Sequence, residues 1–207
     1  MLHERLHASR TLGVDSAAVM LAGAAARATE SLGFQEGDIG EWPGEGEDIV
    51  FSNAALQWVP DHPAVLARWS AGMPSGGQLA VQVPANADHA SHVIAAQLAS
   101  DWLGSAAPPD PVAEHVLAPE AYAELLDQLG FERQHVRLQI HPHRLDSTAE
   151  VVEWVKGTSL TRFKSILDPE DYDRFVQEYR RRLLAALGSR SPYLYTFKRI
   201  LFWGRRG

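Results

Sequence analysis

Three stretches of the chain place small or acidic polar residues directly after an apolar run. They are Asp15-Ser16, Asp38-Ile39 and Ser52-Asn53. A carboxylate at the end of one strand can accept hydrogen bonds from both hydroxyls of a ribose, and a carboxylate further along can accept one from an exocyclic amine. Each acid taken singly could equally cap a following helix. The three stretches together favour a nucleoside-binding edge.

A zinc-protease pattern also occurs near the start of the chain, where residues 3–7 read His3-Glu4-Arg5-Leu6-His7, or H-E-x-x-H. On a helix this spacing puts two imidazoles on one face. No third ligand follows at the usual downstream spacing, so we interpret the motif as an exposed helix end and predict no metal site. The sequence also lacks a G-x-S-x-G motif and an evident acid–base pair, and the catalytic residues stay unassigned.

Strands and helices alternate over the first part of the chain. Thr11–Asp15 and Phe34–Ile39 have the pattern of strands, and the alanine-rich stretch Ala17–Ala28 between them favours a helix. Asp48–Val83 then has the pattern of a strand, a helix and a strand, which is typical of a parallel sheet. In its helix region Val65, Trp69 and Met73 recur at i, i+4 and i+8, which predicts one apolar stripe facing the sheet. Open sheets of this kind bind ligands beyond the carboxyl ends of their strands.

After Pro84 the pattern changes to longer helices with two further strands. Asn86 predicts the cap of a helix, and Ser147 with Glu150 has the spacing of a capping box. The predicted elements are helices over 88–103, 119–129, 147–154 and 168–188, and strands over 131–140 and 193–203. The insertion between the last two strands is too long for a hairpin loop.

The composition is that of a globular protein with one core. The 207 residues are 45% hydrophobic and carry a net charge of -7, which disfavours nucleic acids and anionic membranes as partners. The lack of cysteine excludes disulfides and cysteine nucleophiles. No segment has the pattern of a signal peptide or of a membrane span, so we expect a cytoplasmic monomer that acts on a small molecule.

Several motifs together resemble the class I S-adenosylmethionine-dependent methyltransferases, and within them the trans-aconitate methyltransferases. They are Gly13-Val-Asp15-Ser16, Glu36-Gly-Asp38-Ile39, the run Asp48–Trp58, His141-Pro-His-Arg-Leu145 and Glu153-Trp-Val-Lys-Gly-Thr158. The likeness extends from about residue 10 to the C-terminus. It implies an α/β fold with a Rossmann-like sheet. It also implies one domain over residues 1–207 with an α-helical cap from about 85–118 and 142–190.

The resemblance also implies a role for each strand end. Within the pair Asp15-Ser16, the carboxylate holds the ribose hydroxyls of S-adenosylmethionine. Asp38-Ile39 meets the adenine, and Ser52-Asn53 lies beside the methionine end of the cofactor. Gln57-Trp58 lies near the substrate.

One part of the family pattern is absent from the sequence. The family begins with a central strand and a glycine-rich turn, whereas Leu2–Ser9 resemble the end of the helix that follows that turn. We therefore expect a sheet that lacks its first strand and the glycine-rich loop. A start codon placed too far downstream, a truncated relic gene, and another element in place of the strand all fit this pattern.

The implied substrate needs cations to balance its carboxylates. The segment from residue 141 to 164 contains His143, Arg144, Lys156, Arg162 and Lys164. We hypothesise that Arg144 or Arg162 anchors a substrate carboxylate, with His143 in the same pocket, although solvated surface charge explains each residue equally well. The implied function is methyl transfer to a carboxylate of trans-aconitate. The alternatives are another small carboxylate or hydroxyl acceptor, or an inactive truncated homologue.

Overall fold

The computed structural model describes residues 2–207 and has an alternating α/β architecture. The strands are β1 (Thr11–Asp15), β2 (Leu32–Glu36), β3 (Ile49–Asn53), β4 (Gln78–Pro84), β5 (Phe131–Leu145) and β6 (Tyr193–Arg206). The helices are α1 (Leu2–Arg5), α2 (Ala18–Ala25), α3 (His62–Ala71), α4 (Ala90–Leu103), α5 (Pro111–His115), α6 (Pro119–Gln128), α7 (Glu150–Lys156) and α8 (Pro169–Leu187). Short 3₁₀ turns lie at Leu56–Trp58, Gly104–Ala106 and Ser159–Phe163. The predicted α/β class is confirmed.

The six strands form two separate sheets. β1 and β2 pair in parallel, with Asp15 opposite Glu36. The larger sheet has the order β3-β4-β6-β5, in which β3 and β4 are parallel and the remaining pairs are antiparallel. Within residues 2–207 no strand joins β1 to β3, so the backbone edge of β3 is open. Its side chains Ile49 and Phe51 are 40% and 53% exposed.

The loop after β2 connects the small sheet to the large one. The indole Nε1 of Trp69, on α3, donates a hydrogen bond of 3.2 Å to the carbonyl of Ile39. The ring of Trp42 packs edge-on against that of Trp69, with centroids 6.2 Å apart. The chain turns back over α3 at Gly44, whose φ of +67° and close approach to the Trp69 backbone favour glycine. These contacts hold the loop after β2 against α3.

Two apolar cores support the fold. The first lies between the large sheet and helices α3 and α6, and contains Val65, Trp69 and Met73 at 3%, 2% and 6% exposure. The apolar stripe predicted for this helix region is thus confirmed. The second core lies among α4, α7 and α8 and the start of β6, where Phe175 and Tyr195 are fully buried. The helices of the second core provide one side of the cavity described below.

Two predicted helix caps are wrong. Asn86 is buried and accepts a hydrogen bond of 2.6 Å from the Lys198 amide of β6, while His89 caps α4 by accepting from the Ser91 amide. At α7 the N-cap residue is Ala149, whose side chain makes no capping hydrogen bond, and Glu150 accepts instead from the Asp146 amide. In the first case a strand that lies distant in sequence outcompetes the local cap.

The second strand begins two residues and ends three residues earlier in the chain than predicted. It was expected over residues 34–39, whereas β2 ends at Glu36. Asp38 and Ile39 therefore belong to the loop that follows β2, where Asp38 bonds the Gly40 amide at 2.7 Å. None of the helices within residues 2–207 is long and apolar enough to cross a membrane.

A buried histidine fixes the start of α3. His62 is 1% exposed, and its Nε2 lies 2.9 Å from the Leu56 carbonyl, which can only accept. Nε2 therefore carries the proton, and the neutral ring accepts a hydrogen bond of 2.6 Å from the Tyr122 hydroxyl at Nδ1. Burial lowers the pKa of His62 below its ordinary value.

This burial predicts a loss of stability in mild acid. The unfolded chain binds a proton at His62 more readily than the folded chain, so the free energy of unfolding should fall as pH drops below about 6.5. The variant His62→Gln cannot titrate there and should show a shallower dependence. The slope should not vanish, because burial also lowers the pKa of His89. Urea unfolding at pH 7.5 and 5.5 measures both slopes.

The variant His135→Gln provides the control for this experiment, since it removes a histidine from an exposed position of β5. It should retain the slope of the unmodified protein. An equal slope in His62→Gln and the unmodified protein would contradict the assignment.

Candidate functional site

The carboxyl ends of β1 and β2 each present an aspartate in a tight local turn. Asp15 is partly buried, and its Oδ1 accepts a hydrogen bond of 2.8 Å from the Ala17 amide. Asp38 is exposed, and its Oδ1 accepts the Gly40 amide in the same way. Ser16 is exposed beside Asp15, and Ile39 is partly buried against α3. In each aspartate, one carboxylate oxygen fixes the turn and the other accepts no hydrogen bond within residues 2–207.

The carboxyl end of β3 leads into a turn that points two polar side chains inward. Ser52 is 7% exposed, and its hydroxyl has no hydrogen-bond partner among the described residues, whereas Asn53 is exposed. Gln57 is 5% exposed and donates from Nε2 to the Ala54 carbonyl at 2.8 Å. Trp58 beside it is 52% exposed. Just beyond β3, the Gln57 amide thus lies inside the protein and the Trp58 indole is half exposed beside it.

Three histidine contacts hold this turn in place. Nε2 of His62 donates to the Leu56 carbonyl, and Nδ1 of His115 donates 3.0 Å to the Gln57 carbonyl. The contact between His62 and Tyr122 then ties the turn to α6. The position of Gln57 therefore depends on α3, α5 and α6 together.

A cavity of about 350 Å³ opens beside this turn. Its lining comes from the turn after β3, from β4, α4, α5, α7, the following 3₁₀ turn and β6. The residues are Ala54, Gln57, Trp58, Gln82, Pro84, His92, Asp110, Pro111, Val112, Trp154, Gly157, Thr158, Ser159, Thr161, Arg162, Phe197 and Arg199. The volume lies within the usual range for small-molecule sites.

Three of the five residues that the sequence suggested for the substrate line this cavity, namely Gln57, Trp58 and Arg162. His143 does not line it, but its ring lies 4.7 Å from that of Trp154, which does. His143 therefore lies behind one wall of the cavity. Arg144 is exposed on β5 and does not reach the cavity.

A buried charge cluster occupies one wall of the cavity. The side chains of Arg162 and Asp110 are 7% and 5% exposed, and Nη1 of Arg162 lies 3.4 Å from Oδ2 of Asp110. His92 donates from Nδ1 to the same Oδ2 at 2.7 Å, and the Val112 amide donates to Oδ1 at 3.1 Å. The carboxylate is therefore surrounded by donors.

The environment keeps both members of the pair charged. Burial would raise the pKa of Asp110, but the hydrogen bond from His92 and the nearby charges of His92 and Arg162 outweigh it and lower the pKa. Burial lowers the pKa of Arg162, and Asp110 opposes that effect. A guanidinium titrates so far above neutral pH that Arg162 stays protonated.

The guanidinium of Arg162 has N–H groups without a hydrogen-bond acceptor among the described residues. Its Nε, Nη1 and Nη2 are buried and have no partner of hydrogen-bond geometry among the described residues. The contact with Asp110 is thus an ion pair without an aligned hydrogen bond. A buried donor without a partner costs roughly 1–3 kcal/mol, so a ligand with acceptor oxygens is favoured here.

The lining residues that were not predicted from the sequence include His92, Asp110, Gln82 and Arg199. Gln82 gave a signal, because it is a polar residue inside the apolar run of β4. Asp110 follows a proline-broken loop, and only the fold brings it to Arg162, 52 positions later.

His3, the first histidine of the H-E-x-x-H pattern, forms hydrogen bonds through both ring nitrogens to the hydroxyls of Thr11 and Ser31.

Comparisons with known proteins agree with this architecture. A family model described as "Methyltransferase domain" matches residues 1–81. The trans-aconitate 2-methyltransferase of Deinococcus radiodurans is 42% identical to the chain, over 99% of this chain and 81% of that protein.

Solved structures share the fold at low sequence identity. The YcgJ protein of Bacillus subtilis has a TM-score of 0.56 and 14% identity, over 96% of this chain and 82% of that one. A phosphoethanolamine N-methyltransferase of Haemonchus contortus, solved with S-adenosyl-L-methionine, has a TM-score of 0.54 and 17% identity. It is matched over 98% of this chain and 45% of that one. The fold, the family model and the 42% relative together show that this chain belongs to the class I S-adenosylmethionine-dependent methyltransferases.

Proposed function

We propose that the protein transfers a methyl group from S-adenosylmethionine to a carboxylate of trans-aconitate and forms a methyl ester. The observation that carries the proposal is the buried, partly unpaired guanidinium of Arg162 in a cavity beside the end of β3. Its planar array of donors matches a carboxylate better than any neutral acceptor. The name of the Deinococcus radiodurans relative supports trans-aconitate as the compound that carries this carboxylate.

The strand ends have the chemistry that the cofactor needs. The oxygen of Asp15 that makes no internal hydrogen bond suits the ribose hydroxyls, and that of Asp38 suits the adenine amine, with Ile39 against the ring. The buried hydroxyl of Ser52 has no partner within residues 2–207, and with Asn53 it suits the polar methionine end. Ser16, exposed next to Asp15, belongs to the same edge.

The substrate would then bind between this edge and the helices. Ala54 and Gln57 line the cavity directly after β3, and Arg162 faces it from the helical side. Trp58 also lines the cavity, and about half of its side chain is exposed to solvent. The two segments that we propose as the cap, residues 85–118 and 142–190, together contribute His92, Asp110, Trp154 and Arg162 to the lining. The proposed cap therefore supplies the pair of Arg162 and Asp110, and the sheet supplies the cofactor edge.

The reaction needs no general base. Asp15, Asp38 and Ser52 would hold S-adenosylmethionine, which would supply an already activated methyl group to a carboxylate oxygen of the substrate and would leave as a neutral thioether. The nucleophile is already ionised, so no proton moves. The residues contribute by orienting the carboxylate and by excluding water from it. This chemistry is consistent with a sequence that shows no evident acid–base pair.

The main alternative within the same reaction class is that a compound other than trans-aconitate accepts the methyl group. The cavity residues favour an anion but do not by themselves distinguish trans-aconitate from other small carboxylates. A panel of carboxylates and hydroxyl compounds, followed by mass spectrometry of the methylated product, separates these possibilities. Methylation of a neutral hydroxyl compound in preference to every carboxylate would contradict the proposal.

The cofactor edge predicts that Asp15→Asn weakens S-adenosylmethionine binding. The asparagine retains an oxygen for the Ala17 amide, so the turn should persist, whereas the charged acceptor for the ribose is lost. Loss of a charge-assisted hydrogen bond corresponds to a roughly 10- to 100-fold higher dissociation constant. Calorimetric titration measures it.

Asp168→Asn is the matched control, because Asp168 caps α8 through the Asp171 amide and lies away from the strand ends. It should bind the cofactor as tightly as the unmodified protein. Equal affinity in the Asp15 variant, or no binding by the folded unmodified chain, would contradict the assigned edge.

The substrate site predicts that Arg162→Lys raises the KM for trans-aconitate by roughly 10- to 100-fold, because an ammonium keeps the charge and loses the planar fork. The affinity for S-adenosylmethionine should not change. Steady-state kinetics with detection of S-adenosylhomocysteine measures the KM.

Arg144→Gln is the control, since Arg144 was an equal candidate from the sequence and is exposed outside the cavity. It should leave the KM unaltered. An active Arg162→Lys enzyme with an unaltered KM would remove Arg162 from the substrate site.

A further inference from the structure

A second guanidinium faces the same cavity from the sheet. Arg199 lies on β6 opposite Pro84 of β4, and its Nη1 donates a hydrogen bond of 2.6 Å to Oε1 of Gln82. Its Cζ lies 5.0 Å from the ring centroid of Phe197. The amide and the ring fix the orientation of the guanidinium. Its Nε is nevertheless buried without a hydrogen-bond partner among the described residues.

The charges around the cavity do not balance. The lining contains two guanidinium groups, Arg162 and Arg199, and one carboxylate, Asp110. Asp110 already accepts from His92 and the Val112 amide and pairs with Arg162. Arg199 has no carboxylate within 4.0 Å in the described chain, in contrast to Arg162. An excess positive charge therefore faces the cavity in a protein whose net charge is -7.

The remaining unpaired polar atoms of the cavity are mostly donors. Nε2 of Gln82 and the hydroxyl of Ser159 are buried and lack partners within residues 2–207. Oε1 of Gln57 is the one unpaired atom of the lining in that part of the chain that can only accept, since the Ser159 hydroxyl can also donate. The Gln57 amide orientation is set by its bond to the Ala54 carbonyl. Donors from both the sheet and the cap thus point to a ligand with several anionic oxygens.

We propose that Arg199 binds a second carboxylate of the substrate, distinct from the one that Arg162 binds. This inference rests on the proposed methyl transfer to a carboxylate in this cavity. A carboxylate paired with a guanidinium has its charge partly neutralised and its lone pairs engaged, so it is a poor nucleophile. Arg162 and Arg199 each hold one carboxylate, and the methyl acceptor is a third carboxylate that neither arginine binds.

The division of roles can be tested by matching enzyme variants to substrate analogues. Itaconate, mesaconate and cis-glutaconate each correspond to trans-aconitate without one of its three carboxylates. The dissociation constants of all four compounds are measured by calorimetry in the presence of S-adenosylhomocysteine, for the unmodified protein and for Arg199→Gln and Arg162→Gln. This readout does not require turnover.

Arg199→Gln is expected to weaken trans-aconitate roughly 10- to 100-fold. It should have little effect on the one analogue that lacks the carboxylate bound by Arg199. Arg162→Gln should show the same pattern with a different analogue. Arg199→Lys should recover part of the affinity for trans-aconitate, since it restores the charge without the fork. Arg205→Gln, at an exposed position of the same strand, should change none of these constants.

The outcomes separate this inference from the proposed function. If Arg199→Gln binds S-adenosylhomocysteine normally and weakens all four compounds equally, or none of them, Arg199 does not hold a particular carboxylate and the inference fails while the proposed function stands. If the unmodified protein binds the cofactor product but none of the four compounds, the proposed function fails as well. A variant that no longer binds S-adenosylhomocysteine is replaced by Arg199→Lys, for which equal weakening of all four compounds overturns the inference.

Discussion

The buried ion pair between Arg162 and Asp110 is the constraint on which the site depends. A guanidinium with 7% of its side chain exposed is tolerated only because a carboxylate lies 3.4 Å away and is itself held by His92 and the Val112 amide. Each partner reaches the cavity from a different part of the helical region. The pair thus fixes the relative positions of α4, α5 and the turn after α7, and it leaves the guanidinium N–H groups facing the cavity.

The rest of the architecture brings this charge to the strand ends. The apolar core among α4, α7 and α8 supports the Arg162 side of the cavity, and Tyr195 of β6 joins that core to the sheet. On the opposite side, the histidine contacts of the turn after β3 hold Gln57 against α3 and α5. The cavity is therefore formed between two cores. The proposed substrate binding requires both, because the proposed cap provides Arg162 and the sheet provides Arg199.

The parts of the fold that depend on local pattern could be predicted from the sequence. The alternation of β1, α2, β2 and β3 and the apolar stripe on α3 follow from periodicity, and Asp15 and Ser52 were placed at strand ends for that reason. The cap expected at Asn86 failed because the amide group of that side chain found a partner in β6, 112 positions away. Local propensity cannot anticipate such a competitor.

The residues of the proposed substrate site were predictable only in part for the same reason. Arg162 was one of several cations in one segment, and nothing in its neighbours distinguished it from Arg144. The distinction arises from burial beside Asp110, and the position of Asp110 is set by helix packing. Arg199 lies in a strand that carries bulky residues on both faces, so the sequence does not indicate which way the Arg199 side chain points. The position of β6 between β4 and β5 determines this direction. Long-range pairing, rather than composition, assigns these roles.

The central claim is that a carboxylate substrate binds in this cavity, held by guanidinium groups beside the cofactor edge. The most direct measurement is a crystal structure of the protein with S-adenosylhomocysteine and trans-aconitate. We predict that two carboxylates of trans-aconitate contact Arg162 and Arg199, and that an oxygen of the third lies near the thioether sulfur. Trans-aconitate bound outside the cavity, or within it without contact to either arginine, would contradict the account.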